Sequence, residues 1–315
     1  MSLQDKMKFH DNKQDIVLIG EILIDEIFDS VNSTTISILG GSTANIAFNL
    51  NQLKCKTNLF CAVGNDEKGY SILDTLKSVD IDVSNINVIN DSTTVVKIDK
   101  NSGSPVPTFE RSSDNYIYYS EELEKSIISS KILHFSYWPF SKEPSKTTIL
   151  KSIDLAKQND ILIGFDPNYH IDLDPSNGLE ISEILNLIAK VDIVKPSLDD
   201  SIRLFGEGYS VTEYINKFLE LGCKLVVMTL GADGLIANYK GDVVVMPSLA
   251  KEVIDSTGAG DSFWGGLYSG IITNESIYDS LRLGLLCSAY NLKQIGAYND
   301  FPSLEQLKKE LKIGE

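Results

Sequence analysis

Residues 181–229 read ISEILNLIAKVDIVKPSLDDSIRLFGEGYSVTEYINKFLELGCKLVVMT, and their pattern decides the fold. Ile193-Val194 and Leu225-Val226-Val227-Met228 are apolar without alternation, as expected of strands buried on both faces. Ahead of them, residues 181–189 and 211–221 carry apolar side chains at helical spacing. Helix and strand in turn imply βαβ units, hence a parallel sheet with helices on both sides. Outward from this stretch the rhythm repeats. Ile16-Val17-Leu18-Ile19, Ile132-Leu133-His134-Phe135 and Ile161-Leu162-Ile163-Gly164-Phe165 read as further buried strands, and 145–157 and 280–294 as helices. Ligands of such sheets sit beyond the carboxyl ends of the strands. Polar motifs fall there, after Ile19, Phe165, Val194 and Met228.

Two segments depart from the rhythm. Residues 24–39 and 92–119 hold β-rich alternations, among them Thr93-Thr94-Val95-Val96-Lys97-Ile98 and Tyr116-Ile117-Tyr118-Tyr119. They read as a small antiparallel lid on the main sheet, with a pair of edge hairpins as the plainer alternative. No repeat or linker divides the chain, so residues 1–315 are expected to form one domain. The net charge of −16 opposes nucleic acid or an anionic membrane as partner. Four scattered cysteines without a CxxC pair and three histidines give no zinc pattern, and with a polar N-terminal stretch they suggest a cytoplasmic protein.

The most informative motif is Asp255-Ser256-Thr257-Gly258-Ala259-Gly260-Asp261-Ser262-Phe263. Glycines on either side of Ala259 allow a tight bend in which successive N–H groups converge on an anion. The following residues are helix-compatible, so the bend becomes a helix N-terminus, which favours phosphate. Asp261 could simply cap that helix. Beside an anion cradle it reads better as a general base that accepts a proton from an attacking hydroxyl while the N–H groups stabilise a transferring phosphoryl group. No GxxxxGK[ST] occurs, and Phe263 replaces the third glycine of GxGxxG. The second motif is Gly40-Gly41-Ser42-Thr43-Ala44-Asn45. Here Ser42 or Thr43 can cap a helix, and the Asn45 amide can both donate and accept, which suits a polyol.

Together these motifs resemble the signatures of the PfkB (ribokinase-like) carbohydrate kinases, close to the fructokinase, 2-keto-3-deoxygluconate kinase and ribokinase branch. Further matches follow in the family's order: Gly20-Glu21-Ile22-Leu23-Ile24-Asp25, Val63-Gly64-Asn65-Asp66-Glu67-Lys68-Gly69, Thr229-Leu230-Gly231-Ala232-Asp233-Gly234, and a C-terminal helix ending in Gly296-Ala297. The resemblance implies a ribokinase-like three-layer α/β/α fold with a mostly parallel central sheet and a small β-lid. It implies γ-phosphoryl transfer from MgATP to a sugar hydroxyl, with Asp261 as base and Gly258, Ala259 and Gly260 as the anion hole. Asp25, Gly41, Asn45, Arg111 and Asn168 are implied to hold the sugar; Thr229, Gly231 and Gly234, with Gly258 and Gly260, the nucleotide. Asp255 is placed at a monovalent cation (K+) and Asp200 at a magnesium-bound water. A homodimer through the lids is implied as well.

Three departures from the family stand out, the mildest being Ser256 in place of a threonine. In Lys195-Pro196-Ser197-Leu198-Asp199-Asp200, Ser197 stands for an asparagine and Asp200 for a glutamate. In Asp166-Pro167-Asn168-Tyr169-His170, His170 replaces an arginine. Arg111 reads equally as a substrate contact or a surface residue, and Tyr137 and Trp138 as ligand-stacking or core aromatics. The expected reaction is phosphorylation of fructose, ribose or 2-keto-3-deoxygluconate. A nucleoside or phosphosugar kinase of the same fold and a non-catalytic sensor are the alternatives.

Overall fold

The computed structural model describes residues 14–29, 31–99, 107–169 and 181–313. His170 therefore lies outside the described residues. In chain order the strands are β1 (Gln14–Ile19), β2 (Leu23–Asp29), β3 (Thr34–Gly40), β4 (Thr57–Gly64), β5 (Ile86–Ile89), β6 (Val95–Asp99) and β7 (Thr108–Glu110). They continue with β8 (Ser130–Ser136), β9 (Leu162–Asp166), β10 (Ile193–Val194), β11 (Leu225–Thr229), β12 (Leu235–Tyr239) and β13 (Asp242–Met246).

Nine of them form one sheet in the order β13-β12-β11-β10-β9-β8-β1-β4-β5. From β11 to β5 every pairing is parallel. Alternation of side chains across each strand feeds two separate cores. On β1, Ile16 and Leu18 enter one core and Val17 and Ile19 the other; Leu225 and Val227 of β11 likewise oppose Val226 and Met228. Helices cover both faces, which makes the molecule three-layered. The edge hairpin of β12 and β13 turns through Lys240 and Gly241 at positive φ, and its antiparallel alternation was not anticipated. No described helix is long and apolar enough to cross a membrane.

A second sheet, in the order β3-β2-β6-β7, stands where the two irregular segments were expected to project. It is mixed and not purely antiparallel. β2 pairs with β3 antiparallel but with β6 parallel, because both leave the carboxyl edge of the large sheet in the same direction. The second segment also ends its strand earlier than expected. β7 stops at Glu110, and residues 116–119 form no strand. Ile117 instead enters the core beneath the large sheet, where its N–H donates to Ser145 Oγ at 3.2 Å.

Candidate active site

The site begins with two helices forced together. The helix Ser42–Gln52 follows β3, and the helix Ala259–Ile272 follows the glycine turn. A Cβ on Gly265 would lie 2.8 Å from Asn49 Cβ, so only glycine permits this approach. Deeper in the contact, Asn49 Nδ2 donates to Ser262 Oγ at 3.2 Å. The approach brings the starts of both helices to one point, although they lie some two hundred residues apart in the chain.

At that point Asp261 accepts from Ser42 Oγ at 2.6 Å and from Asn45 Nδ2 at 2.8 Å. Gly258 caps the helix with φ +75°, in the left-handed region that glycine occupies without strain. Gly260 is exposed at the first turn, whose N–H groups have no partner within the helix; that of Ala259 donates to Ser256 O at 3.3 Å. A methyl added to Gly260 would sit 3.4 Å from Lys195 Nζ. That ammonium is nearly buried and pairs with Asp166 Oδ2 at 3.0 Å, and Asp166 also accepts from Trp264 Nε1 at 2.7 Å. The glycine turn thus has a fixed cation beside it. Lys195 and Asp166 were missed as site residues, since the stretch around Lys195 was read only for Ser197 and Asp200.

Burial raises the Asp261 carboxyl to about 6; its hydrogen bonds from Ser42 and Asn45 and the Lys195 charge oppose the rise, and Asp166 adds to it. Asp25, on β2 of the small sheet, is likewise raised to about 6 by burial and by the charge of Asp261. A carboxyl with this value is mostly ionised at neutral pH yet basic enough to take a proton in a transition state. Gly41 caps the helix Ser42–Gln52, and the Asn45 Oδ1 atom is buried without a hydrogen-bond partner. Asn45 therefore holds Asp261 with one end of its amide and leaves the oxygen at the other end unpartnered.

Other expected residues stand elsewhere. Thr229, Gly231 and Gly234 occupy the end and following turn of β11, on the same carboxyl edge; Thr229 N–H donates to Pro196 O at 3.0 Å. Asn168 is exposed just past β9. Arg111 is not a surface side chain. Its side chain is 3% exposed and bonds Asp114 Oδ2 through Nε at 2.9 Å and Nη2 at 2.6 Å, Ser141 Oγ at 2.5 Å and Asn115 Oδ1 at 2.9 Å. Trp138, beneath that guanidinium, and Tyr137 are core aromatics. Asp200 closes a capping box at the helix Leu198–Phe205, taking Ser197 N–H and hydroxyl on one oxygen and Tyr169 N–H on the other. Asp255 ties its own loop to the C-terminal turn, accepting from Thr257 and from Gly296 N–H at 2.8 Å, bonds that hold it below the usual carboxylate range against the opposing effect of burial.

A profile of the "pfkB family carbohydrate kinase" matches residues 13–304. The chain is 41% identical over 312 residues to an ATP-dependent 6-phosphofructokinase of Thermoanaerobacterium thermosaccharolyticum, covering 98% of this chain and 97% of the other. Its fold superposes on the fructokinase of Halothermothrix orenii with a TM-score of 0.76 at 33% identity, over 86% of this chain and 97% of that one. A Vibrio cholerae fructokinase with bound fructose, ADP and calcium gives 0.82 at 25% identity, over 94% and 98%.

Proposed function

Because the chain belongs to the pfkB family of carbohydrate kinases, we propose that it moves the γ-phosphoryl group of ATP onto a hydroxyl of a fructose-type hexulose. The observation that carries this reading is Asp261, oriented by Ser42 and Asn45 at the open first turn of the helix Ala259–Ile272, with Lys195 alongside. Asp25, Gly41 and Asn45 hold the sugar so that one hydroxyl meets Asp261. As that oxygen attacks the γ-phosphorus, its proton passes to Asp261 and the bond to the β,γ-bridging oxygen breaks, releasing ADP. The N–H groups of Gly258, Ala259 and Gly260 and the Lys195 ammonium stabilise the negative charge on the transferring group. Thr229, Gly231 and Gly234 flank the nucleotide.

Magnesium enters with ATP as part of that substrate. Asp200 takes the Ser197 N–H and hydroxyl on Oδ2 and only the Tyr169 N–H on Oδ1, and would meet the ion through a bound water; among the described residues no three His, Cys, Asp or Glu side chains gather as a metal site. Asp255, proposed to lie beside a monovalent cation, is held in place by the N–H groups of Thr257 and Gly296.

Free fructose is the favoured acceptor on charge. The small sheet's Lys97 pairs with Glu110, the neighbouring Lys68 with Glu26, and Arg111 with Asp114. A sugar phosphate would need such cations for itself. Fructose 6-phosphate is the second reading, favoured by the Thermoanaerobacterium relative. ADP release should be measured with MgATP against fructose, fructose 6-phosphate, ribose, 2-keto-3-deoxygluconate and nucleosides. Turnover on one of the two fructose compounds is expected, falling about 10³-fold or more in Asp261→Asn and about 10²-fold in Lys195→Met. A panel without turnover despite tight ATP binding would make the chain a sensor.

A further inference from the structure

Glu21 lies in the turn after β1, is 1% exposed, and has no role in the steps above. Among the described residues no cation pairs with it. Its Oε1 accepts the Ser42 N–H at 2.9 Å, and its Oε2 accepts from Ser136 Oγ at 2.9 Å and Thr43 Oγ1 at 3.5 Å. The cap residue of that helix, Gly41, has no side chain to offer, so Glu21 brings an anion to the helix start from another part of the chain. Ser42 is also the residue whose hydroxyl donates to Asp261. One residue therefore joins the two carboxylates, through its N–H on one side and its O–H on the other.

We infer that Glu21 is a positioning residue for the base: ionised, it fixes Ser42 so that the hydroxyl proton points at Asp261, and its charge strengthens Asp261 as a base. The inference rests on the reading of Asp261 given above. A buried carboxylate serving only as a helix cap could be replaced by glutamine, whose amide oxygen accepts the same N–H. The charge is what glutamine lacks. The titratable groups facing Glu21 are Asp261 from the helix Ala259–Ile272 and Cys61 from β4, whose thiol is raised well above its ordinary value by burial and by Glu21 itself. Burial brings Glu21 to about 7, so its ionisation falls within the working range of pH.

The test is kcat and KM between pH 5.5 and 9, with the sugar found by the panel, for the wild type, Glu21→Gln, Ser136→Ala, Ser42→Ala and the Glu21→Gln/Ser42→Ala double variant. Glu21→Gln is expected to lower kcat about tenfold, to leave both KM values within about twofold, and to move the acid limb to lower pH. Ser136→Ala removes a donor to the ionised form and should move that limb upward. The double variant should lose less than the product of the two single losses, because part of the effect of Glu21 passes through Ser42. A Glu21→Gln profile that overlays the wild type, or losses that multiply in the double variant, overturns the inference. Should Glu21→Gln fail to fold, an unmoved limb in Ser136→Ala overturns it equally. A wild type that phosphorylates nothing overturns the reading of Asp261 and this inference with it, whereas failure of the variants alone leaves that reading intact.

Discussion

Asp25, Asp261 and Glu21 are held above their ordinary pKa values, in each case chiefly by burial. The folded chain thus binds their protons more tightly than the unfolded chain does. Their contribution to stability is complete below about pH 4, where both states are protonated, and is lost as pH rises through about 6 to 7. Asp261→Asn removes one such loss. The variant should be more stable than the wild type at pH 8, by about 1–2 kcal/mol after allowing for the partial exposure of the side chain, with the gap closing toward pH 5. Urea unfolding at the two pH values measures this, and an Asn variant less stable at pH 8 would refute the account. The rise itself was not legible in the sequence. Motifs named Asp261 and Asn45, but the charges that tune them, on Asp166 and Lys195, arrive from the ends of β9 and β10.

At the level of elements, the site depends on how closely the helices Ser42–Gln52 and Ala259–Ile272 meet. Gly265→Ala would place a methyl group against Asn49, and the helices must part. Overpacking of this kind costs about 1–3 kcal/mol. The larger effect should be on catalysis, since parting moves Ser42 and Asn45 off Asp261, and kcat is expected to fall about tenfold with little change in the nucleotide KM. Steady-state kinetics beside a thermal melt separates the two, and full activity in a destabilised variant would sink the argument. The small sheet shows why local pattern misled at residues 116–119. Alternating Tyr116-Ile117-Tyr118-Tyr119 has strand composition, yet the buried Asp114 accepts from Trp138, Arg111 and Thr94 and pulls the chain back onto the large domain before another strand can pair. The burial of Arg111 was hidden for a related reason, since Trp138 and Ser141, which close over it, lie some thirty residues on.

For the whole molecule, the small sheet leaves β3 as an open edge, with Phe28, Val31 and Ile36 exposed at 42%, 78% and 60%. Open edges with apolar side chains invite pairing. We propose that two copies associate through these sheets. Sedimentation at about 10 µM should show a dimer that Ile36→Asp dissociates, and a monomeric wild type would end the proposal. The layered fold itself was legible from sequence: unbroken apolar runs such as Leu225-Val226-Val227-Met228 need cover on both faces, and that requirement is local. So was the glycine turn that opens the helix Ala259–Ile272, because glycine spacing and a following helix are properties of adjacent residues. What the tertiary structure alone decided is which side chains are charged neighbours. Contact between Glu21, Ser42 and Asp261, between Lys195 and Gly260, and between Lys195 and Asp166 depends on strand order and helix approach. Electrostatic energies vary with distance and burial, and neither quantity exists until the chain has folded.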